Sequence, residues 1–173
     1  MRIKLGLAAL ACLVVTACVT TYEEVDATSP FGTLQFEKGY TTGYGFGRST
    51  SQEYAIADES WACDRVRRAA FFTWNNDERV DRRIAAGPPA RLVANTTYFM
   101  YQGGGPPTLN NQCAARATFT PEAGRTYRVV HAELSPVRCE LQVIDTSTGA
   151  PPPDLELQQS YGCSTPTRQP RAS

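Results

Sequence analysis

The chain has little of what most hydrolases and metalloproteins use in their active sites, since its 173 residues include a single histidine, His131. A histidine-based triad needs a nucleophile and an acid that converge on the ring, and no G-x-S-x-G motif is present. Histidine, cysteine and carboxylate residues do not occur at spacings typical of a metal site. We therefore expect no catalytic residues, no metal and no cofactor, and we interpret His131 as part of a β-strand near a polar edge.

An excess of charge of one sign is also absent, because 17 Lys and Arg residues balance 17 Asp and Glu residues. Domains that bind nucleic acid concentrate positive charge on one surface. A polybasic membrane-binding segment would also appear as a cluster of Lys and Arg. The composition therefore predicts no nucleic-acid partner and no purely electrostatic attachment to a membrane.

Long apolar runs are limited to one, at the N-terminus. It extends from Leu5 to Val19, which is 15 residues, whereas a helix needs about 20 to span a bilayer. The run follows Arg2 and Lys4 and includes small residues at 16 and 17, as in a secretory signal peptide. We expect residues 1–17 to be a signal peptide that is removed.

The end of this run, Val15-Thr16-Ala17-Cys18, resembles the lipobox of bacterial lipoproteins. The resemblance implies that Cys18 carries an S-diacylglycerol and, after cleavage, an N-acyl chain. Each buried methylene contributes about 0.8 kcal/mol, and two chains already give stable attachment. Because Val19 rather than Asp follows, the resemblance implies the outer membrane of a Gram-negative cell. We therefore expect a cell-envelope protein, lipid-anchored in the outer membrane and facing the periplasm.

The mature chain from Cys18 onward would hold 156 residues with 15 basic and 17 acidic side chains. Residues 18–30 are mostly polar without a sustained period, which is typical of a tether between an anchor and a domain. We expect one domain over residues 31–163, since a single core is usual at this length. The final residues, 164–173, are predicted to be a disordered tail.

Four further cysteines remain in the exported chain, and an oxidising compartment favours their pairing. Four cysteines allow three connectivities, of which we favour Cys113–Cys139 with Cys63–Cys163. A disulfide needs Cα atoms within about 7 Å, whereas strands two positions apart in one sheet are separated by about 9.6 Å. The Cys113–Cys139 pair therefore requires that its two strands lie in facing sheets.

The rest of the chain has the pattern of a mainly β protein. Short stretches rich in Val, Thr, Tyr and Phe are separated by Gly, Pro and Asn turns. They include Phe31–Glu37, Val80–Ala85, Ala90–Tyr101, Cys113–Phe119, Tyr127–Leu134 and Cys139–Asp145. This spacing predicts an antiparallel β-sandwich of about 6–8 strands. One short helix is expected within residues 53–69, where apolar residues fall loosely at helical spacing.

The stretch Phe119-Thr120-Pro121-Glu122-Ala123-Gly124-Arg125-Thr126-Tyr127, flanked by Cys113 and Cys139, resembles a motif of small uncharacterised proteobacterial lipoproteins. In those proteins the motif forms a hairpin of an immunoglobulin- or prealbumin-like β-sandwich. The resemblance covers about residues 80–146. The resemblance implies a fold but does not indicate a function, because most such proteins have no known activity.

Three aromatic residues lie in a glycine-rich segment that cannot form a helix: Tyr40, Tyr44 and Phe46. They could pack over the edge of the sandwich or form a contact surface for a protein or glycan of the envelope. We expect a non-enzymatic structural or binding module. The alternative is an inhibitor or immunity-type protein that binds an envelope enzyme. A cell-wall hydrolase is disfavoured because no nucleophile–base pair is visible.

Overall fold

The computed structural model describes residues 20–40, 48–58, 66–73, 75–76, 79–100, 108–135 and 138–160. Within these ranges the chain forms β-strands and no helix. The strands are β1 (Phe31–Glu37), β2 (Arg48–Ala57), β3 (Val66–Phe72), β4 (Arg79–Ala85), β5 (Ala90–Met100), β6 (Thr108–Phe119), β7 (Thr126–Ser135), β8 (Arg138–Asp145) and β9 (Glu156–Ser160).

The strands form two sheets, one in the order β4-β1-β7-β8 and the other in the order β3-β2-β5-β6-β9. Neighbouring strands are antiparallel except β1 and β7, which are parallel. Buried side chains of both sheets belong to one hydrophobic cluster. The predicted mainly β architecture is therefore confirmed, and two packed sheets are the arrangement of a β-sandwich. The expected count of 6–8 strands is too low, since the described ranges contain nine, and the sandwich is not purely antiparallel because β1 and β7 run parallel.

The helix expected within residues 53–69 is wrong wherever the structure describes that range. Residues 53–57 belong to β2 and residues 66–69 belong to β3, and 59–65 lie outside the described residues. The consecutive residues Tyr54, Ala55, Ile56 and Ala57 are all buried. A strand buried on both faces does not alternate between apolar and polar residues, so its sequence resembles that of a buried helix.

The chain changes sheets between β6 and β7, which belong to different sheets and do not pair. The hairpin implied by the motif around residues 119–127 is therefore wrong, because this segment connects the two sheets. Its ends meet in the core, where the rings of Phe119 and Tyr127 are 4.9 Å apart. Gly124 has a φ of 73°, which a residue with a side chain adopts only at a cost. Tyr127 Oη accepts a hydrogen bond from Glu122 N at 2.8 Å.

The centre of the core is an aromatic stack between the sheets. The ring of Phe36 on β1 is 5.1 Å from that of Tyr54 on β2, and Tyr54 is 5.8 Å from Phe72 on β3. All three are essentially inaccessible to solvent. Burial of one such side chain contributes about 1.5–3 kcal/mol, so this stack is a main attachment between the two sheets.

Residues 20–24, which the sequence places in a tether, contact the sandwich. Thr21 forms a parallel bridge with Arg68 of β3, and Tyr22 Oη donates to Arg83 O of β4 at 3.2 Å. We call this segment the N-terminal strip. No helix long and apolar enough to cross a membrane occurs in the part of the chain that the structure describes.

Candidate functional site

The most distinctive polar feature of the interior is a gap between β1 and β7. The two strands pair in parallel up to Glu37 and Val130, and a continued ladder would join His131 N to Glu37 O. Instead, Tyr54 of the facing sheet inserts its hydroxyl between them. Tyr54 Oη accepts from His131 N at 2.7 Å and donates to Glu37 O at 2.7 Å. One side chain thus replaces a backbone bond, and burial raises the pKa of its phenol.

Gln52, two residues earlier on the same face of β2, bridges the next position of this gap. Its Oε1 accepts from Gly39 N at 2.8 Å, and its Nε2 donates to His131 O at 2.9 Å. The backbone ladder closes again beyond it, where Glu133 N donates to Tyr40 O at 2.9 Å. We refer to Tyr54, Gln52 and the backbone of residues 37–39 and 131 as the β1–β7 gap.

Gly39 is required by the close approach of the backbone at this gap. A Cβ atom at this position would lie 2.0 Å from His131 O, far inside van der Waals contact. The backbone of β7 would have to move, because the obstructing atom is not on a flexible side chain. The glycine at 39 therefore has a packing role.

The ring of His131 points into the core, and none of its surface is accessible to solvent. Its Nδ1 is 2.9 Å from Thr96 Oγ1 of β5, while Nε2 has no hydrogen-bond partner among the described residues. Burial lowers the pKa of His131 to about 4, because the charged form loses its hydration. The ring is therefore neutral at pH 7.

The Thr96–His131 contact has the separation of a nucleophile–base pair, but its surroundings differ from those of a catalytic dyad. Both side chains are completely buried, whereas a general base must reach a proton of a bound substrate. No described carboxylate orients the free Nε2 of the ring. The expected position of His131 in a strand is confirmed, but the expected polar edge is wrong because the ring lies in the core.

A groove of about 140 Å³ opens on one side of the sandwich, between the edges of β8 and β9. Its lining includes the apolar Cys139, Leu141 and Leu157 and the polar Glu140 and Gln158. Leu157 has 52% of its surface exposed. We refer to this cavity as the β8–β9 groove.

The disulfide between Cys113 of β6 and Cys139 of β8 lies beside this groove, with its Cα atoms 6.0 Å apart. This pair matches the expected connectivity, and the condition that its strands lie in facing sheets is met. Both cysteines are buried. The bond covalently joins the two sheets at the side where the groove opens.

The residues predicted for contact and attachment are only partly covered by the structure. Tyr40 is described and has 73% of its surface exposed, whereas Tyr44 and Phe46 lie outside the described residues. Cys18, Cys63 and Cys163 also lie outside them. In the ranges that are described, no three His, Cys, Asp or Glu side chains are grouped to hold a metal ion.

Sequence reasoning missed the roles of Gln52 and Tyr54 in the gap and of Thr96 beside the His131 ring. A weak signal was present, because Thr50, Gln52 and Tyr54 alternate with Ser51 and Glu53 as in a strand with one face inward. Glutamine and threonine are unusual on an inward face, so they indicate a buried polar network. The partner of that network, His131, is 79 residues from Gln52 along the chain.

Comparisons of the chain with protein-family models, with curated proteins and with solved structures find no match. The function is therefore argued from this chain's own residues.

Proposed function

We propose that the protein is a lipid-anchored envelope lipoprotein whose β-sandwich acts as a non-enzymatic binding module. The anchor is the proposed diacylglycerol on Cys18, and the location is the outer membrane with the domain in the periplasm. We also propose that the sandwich is of the immunoglobulin- or prealbumin-like lipoprotein type. Two packed sheets that share one hydrophobic cluster support this.

The binding role is supported by Tyr40, whose side chain is exposed although its backbone is held by a hydrogen bond. Its carbonyl accepts a hydrogen bond from Glu133 N, yet 73% of the residue's surface is exposed. Leu134, the neighbour of that donor, is also exposed. A tyrosine has only two side-chain torsions, so on ordered backbone it loses little conformational entropy on binding. Aromatic residues are also enriched in interfaces. This supports a contact surface for an envelope protein or glycan.

The position of His131 favours binding over catalysis. Its ring has no solvent access, and its pKa of about 4 leaves it a weak base. Efficient general bases have pKa values near the working pH. The burial of this ring supports our proposal that the protein is not a hydrolase.

The contact surface is tested by crosslinking intact envelopes and isolating the protein with its partners. Tyr40→Ala should lose the crosslinked partner, whereas Phe71→Ala, a matched change of another exposed aromatic residue, should keep it. Recovery of one stoichiometric enzyme would favour the inhibitor alternative, and recovery of porins or peptidoglycan would favour a structural role. Equal recovery of partners with both variants would contradict a contact role for Tyr40.

The anchor is tested by metabolic labelling with palmitate. The unmodified chain should be labelled, and Cys18→Ala should not be labelled. Equal labelling of the two chains would exclude Cys18 as the lipid attachment site.

A further inference from the structure

The N-terminal strip joins the edges of both sheets on the side of the sandwich opposite the β8–β9 groove. On β3, Arg68 N donates to Thr20 O at 2.9 Å and Tyr22 N donates to Arg68 O at 2.8 Å. On β4, Arg83 Nε is bonded to Glu24 at 3.0 Å. The strip is therefore fixed to the domain from its first described residue.

The ion pairs of Glu24 strengthen this attachment. Its carboxylate lies 3.0 Å from Arg83 and 3.5 Å from Arg82, and the hydrogen bond from Arg83 holds the pKa of Glu24 below its ordinary value. Arg82 Nε also donates to Ala69 O of β3 at 3.0 Å. The edges of β3 and β4 are thus linked both by the strip and by a direct hydrogen bond.

This attachment shortens the distance between the anchor and the domain. A free tether over residues 19–30 would have a root-mean-square length of about 20 Å. Cys18 is only two residues before Thr20, so their Cα atoms are at most about 7 Å apart. The acyl chains on Cys18 would therefore enter the bilayer beside β3 and β4.

We propose that this side of the sandwich, formed by the N-terminal strip, β3 and β4, lies against the phospholipid headgroups. The proposal rests on the proposed lipidation of Cys18. The sandwich is thereby held in one orientation, with the edge of β9 directed away from the membrane, instead of moving freely on a long tether.

The chemistry of this surface suits a headgroup layer. Phe71 of β3 has 39% of its surface exposed, and the guanidinium of Arg68 lies 4.9 Å from its ring centroid. Aromatic and arginine side chains of this kind pack apolar parts against the interface and keep polar tips in water.

The charges of this surface are largely paired. Arg68 lies 2.6 Å from Glu53, Arg67 lies 3.4 Å from Asp58, and Arg79 lies 3.4 Å from Asp81. Paired charges are only weakly attracted to anionic lipids. Salt would screen that attraction further. The covalent anchor therefore supplies the attachment, and the contact should persist at high ionic strength.

Leu157 of β9 provides a matched control position. It is an exposed apolar residue at the opposite edge of the five-stranded sheet from β3. Four strand spacings separate the two edges, which is about 19 Å. A probe at 157 should therefore remain clear of lipid when a probe at 71 touches it.

The test replaces Phe71 or Leu157 by the photocrosslinking residue p-benzoylphenylalanine in the full-length lipoprotein of intact cells. Irradiation should produce several times more phospholipid adduct at 71 than at 157, as measured by mass spectrometry. Insertion of a flexible Gly/Ser linker between Val19 and Thr20, as long as residues 19–30, should reduce the adduct at 71 to the level at 157.

Palmitate labelling of each variant separates the two proposals. Labelled protein with equal adducts at 71 and 157, or with an undiminished adduct at 71 after linker insertion, would overturn the membrane-facing orientation and leave the anchor standing. Absence of palmitate from the parent chain would overturn the anchor and the orientation together.

Discussion

Removal of one hydroxyl from the β1–β7 gap should destabilise the fold more than its size suggests. In Tyr54→Phe, His131 N and Glu37 O both lose their partner, while the ring can stay between Phe36 and Phe72. Each buried backbone group left without a hydrogen bond costs about 1–3 kcal/mol. We therefore expect the free energy of unfolding to fall by about 3 kcal/mol.

The control is the same substitution at Tyr127, whose hydroxyl accepts a part-buried hydrogen bond from the backbone of the exposed residue Glu122. Water can replace that bond, so Tyr127→Phe should cost about 1 kcal/mol or less. Urea unfolding of the two variants, made in a non-lipidated Cys18→Ala chain with the disulfide oxidised, measures both changes. An equal or smaller loss for Tyr54→Phe, at an unchanged denaturant slope, would refute the bridging role of Tyr54.

Three further variants test the buried histidine, the close approach at Gly39 and the disulfide. The pKa of His131 is about 4 in the folded protein and about 6.5 in the unfolded chain. As the pH falls from 6.5 to 4, the imidazole ring is therefore protonated in the unfolded chain but not in the folded one. Stability should therefore decrease by about 3 kcal/mol from pH 6.5 to pH 4, and His131→Asn should lack this component; parallel pH profiles of unfolding free energy for the two proteins would contradict it. Gly39→Ala places a Cβ 2.0 Å from His131 O. Its loss of stability should exceed that of Gly87→Ala, where a φ of 99° makes a side chain cost about 1–2 kcal/mol. Thermal unfolding of both variants measures which one loses more stability. The double variant Cys113→Ala/Cys139→Ala removes the disulfide, whose cysteines are 26 residues apart in the sequence. The chain-entropy model predicts a loss of about 3–4 kcal/mol in the free energy of unfolding. The same denaturant midpoint for the double variant and the oxidised parent would show that the bond contributes no stability.

Strands with a clean alternation could be predicted from the sequence. In β8, Cys139, Leu141 and Val143 face inward and their neighbours face outward, because one face of an edge strand contacts the core while the other meets water. β1 has the same regular burial pattern. A period of two residues is a local property, so it can be read without knowledge of the partner strands.

The strand β2 could not be predicted in this way. It lies between β3 and β5 in the five-stranded sheet, and residues 54–57 are buried on both faces. Strand β9 is also absent from the strands predicted from the sequence, although residues 156–160 pair with β6. The Glu-, Gln- and Ser-rich sequence of β9 has little intrinsic strand preference, and its pairing with β6 decides its structure.

Local patterns of neighbouring residues indicate the signal-like N-terminus with its Cys18 motif and the mainly β architecture, and they favour one of three disulfide connectivities. The contacts between distant residues follow from the packing of the two sheets. Tyr54 and Gln52 meet His131 from 77 and 79 residues away, and Tyr22 meets Arg83 across 61 residues. Such contacts depend on which strands face each other, and this follows from the packing of the whole chain. For this reason the β1–β7 gap, the burial of His131 and the attachment of the N-terminal strip could be identified only from the packing of the two sheets.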